Sequence, residues 1–82
     1  MITGPQIRAA RAALRWSARD LAERAGLSWL TIQRIEGATG TPNTKVQTLM
    51  AIQTALEGAG IVFLPDDGDG AGVRFKPTKS PQ

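Results

Sequence analysis

The chain has 82 residues, enough for one small domain, and carries a formal net charge of +3. It contains no Cys, no His and no Tyr. Disulfides, Cys or His metal sites, and Cys–His or Ser–His nucleophilic pairs are therefore excluded. An enzyme would have to work with carboxylates, Lys and Ser alone, so we expect a non-enzymatic protein without a cofactor or a metal.

The amino-terminal residues 1–5 lack the basic start and the apolar run of a signal peptide. Short apolar stretches such as Ile61–Leu64 cannot span a membrane. We therefore expect a cytoplasmic protein with no membrane partner.

Three helices are predicted in the first 36 residues, and each begins with the same signal. An apolar residue precedes a capping Ser or Thr and packs on the fourth residue after that cap. These triplets are Ile2, Thr3 and Ile7; Trp16, Ser17 and Leu21; and Leu27, Ser28 and Ile32. Gly26 and Gly37 are expected to be left-handed C-caps. The predicted helices cover about 4–14, 18–25 and 29–36.

A fourth helix is predicted after a loop over Ala38–Pro42, beginning at a cap on Asn43 or Thr44 and ending near Glu57. Its inward residues are expected to be Val46, Leu49, Met50, Ile52 and Leu56.

The carboxy-terminal part changes character, because a turn-rich loop separates two short apolar runs, Ile61–Leu64 and Val73–Lys76. These runs predict a β-hairpin. The three aspartates of the loop lack the spacing and the terminal Glu of a calcium-binding hand. We thus expect a helical domain over 1–60, a hairpin extension over 61–76 and a disordered tail over 77–82.

Helices two and three are separated only by Gly26, Leu27 and Ser28, and such a short turn is typical of a helix-turn-helix unit. Helical periodicity points Ile32 and Ile35 inward. It points Leu30, Gln33 and Arg34 outward, with Trp29 and Thr31 at the margins. Arg and Gln side chains can form paired hydrogen bonds to guanine and adenine, and Thr can contact thymine or phosphate.

The positive charge is also concentrated in the helical part. Residues 1–60 hold seven basic and four acidic side chains, whereas residues 61–82 hold three of each. A basic excess on the helices suits a phosphate-binding surface. The fold class predicted from these features is an all-α helix-turn-helix domain of four helices, the last of which could be split to give a fifth, with a short C-terminal β-hairpin.

The segment from Leu14 to Gly37, LRWSARDLAERAGLSWLTIQRIEG, resembles the lambda-repressor-like helix-turn-helix proteins, also called the xenobiotic response element (XRE) family. The match covers roughly residues 5–58. The resemblance implies a DNA-binding transcriptional regulator of bacterial or phage type, a dimeric repressor that acts at the nucleoid. It also implies an internal ion pair between Arg11 and Glu36.

By this resemblance the helix over 29–36 enters the major groove of double-stranded operator DNA. Base contacts are implied for Trp29, Leu30, Thr31 and Arg34, with Gln33 nearby. Two departures alter the expected phosphate contacts: Ala18 stands where the family usually has a DNA-contacting Gln, and residues 38–43 contain no Lys or Arg. The resulting phosphate-contact candidates are Arg15, Ser17, Arg19, Ser28, Thr39, Thr41, Asn43 and Lys45.

Several alternatives stay open at this point. Trp29 could fold onto helix two, Leu30 could be a dimer contact, and Arg34 could be a plain surface residue. The hairpin is the candidate dimer element, because a short exposed edge strand can pair with its copy. Its candidate dimer residues are Ile61, Val62, Phe63, Leu64, Val73 and Phe75. The alternative function is an antitoxin or anti-activator that acts mainly on a protein partner.

Overall fold

The computed structural model describes residues 2–38 and 44–76, which form four helices and one two-stranded antiparallel sheet. The elements in chain order are α1 (Gly4–Leu14), α2 (Ala18–Ala25), α3 (Trp29–Glu36), α4 (Val46–Gly58), β1 (Ile61–Leu64) and β2 (Gly72–Phe75). The mostly helical fold with a C-terminal hairpin is confirmed, and the first three helices have their predicted bounds. No fifth helix occurs in the described ranges.

All three predicted caps are formed, which explains why these boundaries could be predicted. Thr3 and Gln6 make a reciprocal capping box, since Gln6 N donates to Thr3 Oγ1 and Thr3 N donates to Gln6 Oε1. Ser17 and Asp20 do the same at α2. Ser28 Oγ accepts from the backbone N–H of residue 31, at 3.1 Å.

Left-handed caps occur at one of the two predicted glycines and at one residue that was not predicted. Gly26 has φ of 70° and is the expected left-handed cap of α2. Gly37 has φ of −80°, so the predicted left-handed cap is wrong there. The left-handed residue that was not predicted is Arg15, at φ of 60°, whose N–H closes α1 by donating to Ala12 O at 3.1 Å.

The start and the inner face of α4 also differ from the prediction. The helix begins at Val46, and its N-cap is Lys45, with no side-chain capping bond, so Thr44 is not the cap. Asn43 lies outside the described residues. Leu49 and other predicted core residues are buried, but Val46 and Met50 are each 58 % exposed. They form a separate outward stripe, because residues four apart share one helix face.

One apolar core joins the helices and the hairpin. The seven largest fully buried side chains are Ile7, Leu21, Ile32, Ile35, Ile52, Leu56 and Ile61. Helix α2 lies against α3 and α4, while β1 contacts α4 and β2 contacts α1. No helix in the described ranges has the length and apolar character needed to cross a bilayer.

The hairpin is fastened to the helices through one face. Its register pairs Ile61 with Phe75 and Phe63 with Val73. Ile61 is in the core, and Phe63 and Val73 pack against it. The buried Gln6 of α1 adds a polar tie, because its Nε2 donates to the carbonyl oxygens of residues 64 and 72, at 3.3 and 2.9 Å.

Candidate nucleic-acid interface

Helix α3 has one side in the core and one side in solvent. Ile32 and Ile35 are buried almost completely. The opposite side carries Leu30, Gln33 and Arg34, all exposed, with Leu30 at 69 %. We call these three residues the outer face of α3. The outer face of α3 thus presents an aliphatic, an amide and a guanidinium side chain to solvent.

The remaining two base-contact candidates border the outer face. Trp29 is 37 % exposed, and the guanidinium of Arg19 lies over its ring, with Cζ 4.7 Å from the ring centroid. Trp29 is therefore not in the buried core, although it does contact α2. Thr31 is half-buried, and its Oγ1 lies 2.8 Å from Ser28 Oγ, so its hydroxyl is used within the cap.

An ion pair between α1 and α3 fixes the orientation of α3. Arg11 Nε and Nη2 each donate to one carboxylate oxygen of Glu36, at 2.8 and 2.9 Å. The side chains are 21 % and 8 % exposed, respectively. These hydrogen bonds from the guanidinium to Glu36 raise the pKa of Arg11 above its usual value. Such a two-point contact holds helix orientation better than a single bond does.

Two further contacts reinforce this junction. Arg11 Nη1 donates to Trp16 O at 2.9 Å, and Arg8 Nη1 donates to Glu36 O at 3.2 Å. Arg8 is thus bound to the end of α3. The backbones also meet closely, because a Cβ placed on Gly4 would lie 2.7 Å from Ile35 O. Helix α3 is consequently held at its end by α1.

The phosphate-contact candidates fall into three groups. Arg15, Arg19 and Lys45 are exposed cations. Ser17 and Ser28 are helix caps whose hydroxyls are already hydrogen-bonded within the chain. Thr39, Thr41 and Asn43 lie outside the described residues.

The start of α2 is less open to a phosphate than its position suggests. Ser17 N donates to Asp20 Oδ2 at 2.9 Å, so a carboxylate occupies one of the free N–H groups of the helix end. This backbone hydrogen bond from Ser17 holds the pKa of Asp20 below its usual value. The Ser17 N–H is therefore already hydrogen-bonded within the chain, whereas the Arg19 side chain is exposed.

Three exposed arginines form no salt bridge within the described part of the chain. Across residues 2–38 and 44–76, the salt bridge of Arg11 with Glu36 is the only one formed. Arg15, Arg19 and Arg34 therefore have no carboxylate partner in that part of the chain. Unpaired guanidinium groups beside an exposed helix face can bind phosphate or base edges.

Sequence reasoning did not find several contacts between distant residues. Among them are the hydrogen bonds from Gln6 to the hairpin and the contact of Arg24 with Trp16, in which Cζ lies 4.5 Å from the ring centroid. The partners in these two contacts lie 8 or more positions apart and follow no short sequence pattern.

An open groove of about 570 Å³ lies between the start of α1, α4 and the hairpin. It includes Gln6 and Asp66 but no residue of the outer face of α3. The Gln6 side chain is already bonded to Thr3 and to the hairpin backbone. The groove therefore offers no free Gln6 group for a ligand.

A scan against protein-family models matched none of them to this chain, and a search of curated proteins also gave no match.

Proposed function

We propose that the protein is a sequence-specific regulator that binds double-stranded DNA, with α2 and α3 as a helix-turn-helix unit and α3 in the major groove. The observation that carries the proposal is the outer face of α3, which stands clear of the core while the other side of the same helix is buried. The major groove, about 12 Å wide, admits one α-helix.

The chemistry of the outer face suits base recognition. Arg34 can donate two hydrogen bonds to the O6 and N7 atoms of guanine, and Gln33 can pair with the N6 and N7 atoms of adenine. Leu30 can contact the methyl group of thymine. Each of these three residues is exposed, so none has to leave the protein interior before it reaches a base.

Phosphate contacts in this proposal come from Arg15, Arg19 and Lys45. Each neutralised phosphate releases counterions, and the slope of log K against log salt is about −0.9 per phosphate. Three contacts therefore give a slope of about −2.7 per protomer.

The test is a DNA titration at several salt concentrations. The wild-type chain first selects duplexes from a random pool of about 30 base pairs, long enough for two half-sites one helical turn apart. We expect an enriched sequence, preferred over a scrambled duplex, and a steep salt dependence. No retardation of any duplex at low salt would contradict the proposal.

We further propose a homodimer formed through the hairpin, as paired half-sites require. Ile61, Phe63 and Val73 already pack against the core of their own chain. The proposed contact therefore uses the exposed Phe75 and the opposite strand face, where Val62 is half-buried.

Sedimentation tests the dimer proposal. Val62→Lys is expected to give monomers, because it places a charge in the proposed interface. Thr54→Lys, on an exposed part of α4, is the matched control and should stay dimeric. A Val62→Lys chain that sediments as a dimer would place the contact elsewhere.

A second candidate function is an antitoxin or anti-activator that binds a protein. The observation that favours it is exposed apolar surface, with Leu30 on α3 and Val46 and Met50 on α4. Val46 and Met50 share one face of α4, and contiguous exposed apolar surface can mark a protein interface. The salt titration separates the two functions, since this candidate predicts no sequence preference among duplexes.

A further inference from the structure

The contact between Arg19 and Trp29 joins the starts of α2 and α3. Arg19 lies in the first turn of α2, and Trp29 is the first residue of α3. The guanidinium carbon is 4.7 Å from the ring centroid, within the range of a cation–π contact. Both residues are exposed and neither belongs to the core cluster. The contact therefore has no evident role in core packing.

A second pair of the same kind provides a comparison within the molecule. Arg24 lies over Trp16, with Cζ 4.5 Å from the ring centroid. Trp16 is half-buried and packs against the core. The Arg24–Trp16 pair thus lies against the core, whereas the Arg19–Trp29 pair borders the outer face of α3. The two pairs have similar geometry and different surroundings.

We infer that Trp29 is a positioning residue: its ring holds the Arg19 guanidinium at the edge between α2 and α3, where Arg19 binds a DNA phosphate next to the bases contacted by α3. The inference rests on the proposed function. A free Arg side chain loses conformational entropy when a ligand immobilises it. Stacking restricts the side chain before the ligand arrives.

Stacking also leaves the required donors free. The ring contacts the face of the guanidinium, while the N–H groups project from its edges. The nearby Asp20 carboxylate accepts from Ser17 N and forms no salt bridge with Arg19 in the described residues. The edge of the Arg19 guanidinium can consequently meet two phosphate oxygens while its face remains on Trp29.

The test compares Arg19→Gln, Arg19→Lys, Trp29→Leu and the double variant of Arg19→Gln with Trp29→Leu. The probe is the duplex enriched by the wild-type chain. Arg19→Gln removes the charge, so the salt slope should fall by about one per protomer, with an affinity loss of about 10-fold. Arg19→Lys and Trp29→Leu keep the charge but lose the stack. They should weaken binding by about 3-fold without changing the slope.

The double variant measures the coupling between the two residues. Trp29→Leu should cost less affinity when Arg19 is already Gln, because no guanidinium remains to be held. Arg24→Gln is the matched control, and it should leave affinity and salt slope unchanged. Thermal unfolding of each variant checks that the fold is retained.

The outcomes separate the inference from the function on which it rests. If the wild-type chain enriches no duplex and retards none at low salt, the proposed function fails and the inference with it. If the wild-type chain binds but the losses from Arg19→Gln and Trp29→Leu simply multiply, the proposed function stands and the positioning role is wrong. An equal loss from Arg24→Gln would likewise overturn the positioning role.

Discussion

Two arginines at α3 have opposite environments: Arg11 of α1 is ion-paired near the core, and Arg34 of α3 is exposed to solvent. Near the inner side of α3, Arg11 makes a two-point ion pair with a carboxylate that is 8 % exposed. On the outer side, two residues earlier in the helix, Arg34 is exposed and has no salt bridge within the described ranges. One short helix thus carries two charged groups with different roles. The buried Glu36 carboxylate is held in an ion pair, whereas the exposed Arg34 guanidinium can be reached by a ligand.

The largest expected effect concerns the inner pair. Arg11→Met leaves Glu36 buried without a cation, and we expect a loss of about 2–4 kcal/mol in the free energy of unfolding. Replacing Glu36 with Leu as well removes the unpaired charge, so the double variant should be more stable than Arg11→Met alone. Urea unfolding measures both. A double variant as unstable as the single one would show that packing, not charge, dominates this junction.

The outer residue should behave in the opposite way. Arg34→Ala is expected to weaken specific DNA binding by about 1–3 kcal/mol and to relax one base position. Its unfolding free energy should change by less than about 0.5 kcal/mol, since the site is exposed. Arg24→Gln, at an exposed site outside the outer face of α3 and outside the hairpin, is the control. An equal loss for specific and scrambled duplexes would rule out base reading by Arg34.

A smaller effect is expected at Arg15, where stability and binding should move in opposite directions. Its left-handed φ of 60° is unfavourable for any residue with a Cβ. Arg15→Gly should therefore stabilise the fold by about 1 kcal/mol, while DNA binding weakens through the loss of one phosphate contact. Gly26→Ala, at φ of 70°, should destabilise. Unchanged binding by Arg15→Gly would remove Arg15 from the interface.

The smallest expected effect is a pH dependence at α2. The pKa of Asp20 is lowered by its bond from Ser17 N, so the ionised form stabilises the fold above the usual Asp pKa. This stabilisation is lost as the pH falls through the lowered pKa. The melting temperature of Asp20→Asn should be lower than that of the wild type at neutral pH, and the two values should converge in acid. Glu23→Gln is the control, and convergence there instead would contradict the assignment.

Local signals predicted most of the fold. The caps at Thr3, Ser17 and Ser28 act between residues three apart, so the sequence contains both partners of each bond. The outward position of Arg34 followed from helical periodicity in the same way. The candidate site was therefore largely predictable where it lies on α3.

The predictions were wrong at positions where the local sequence pattern was compatible with two structures. Helix α4 has two apolar stripes, and periodicity alone could not tell that Leu49 is buried while Val46 and Met50 are exposed. The left-handed cap predicted at Gly37 was wrong because glycine permits this conformation but does not require it. The left-handed cap of α1 was not predicted, because it lies at Arg15, which is not a glycine.

By itself, the sequence determined where the first three helices begin and end and which side of α3 faces away from the core, because capping and periodicity operate within one or two turns. Only the tertiary structure decided that Gln6 reaches the hairpin and that Arg19 rests on Trp29. Those contacts depend on how separate elements pack, and packing is set by the whole core rather than by neighbouring residues.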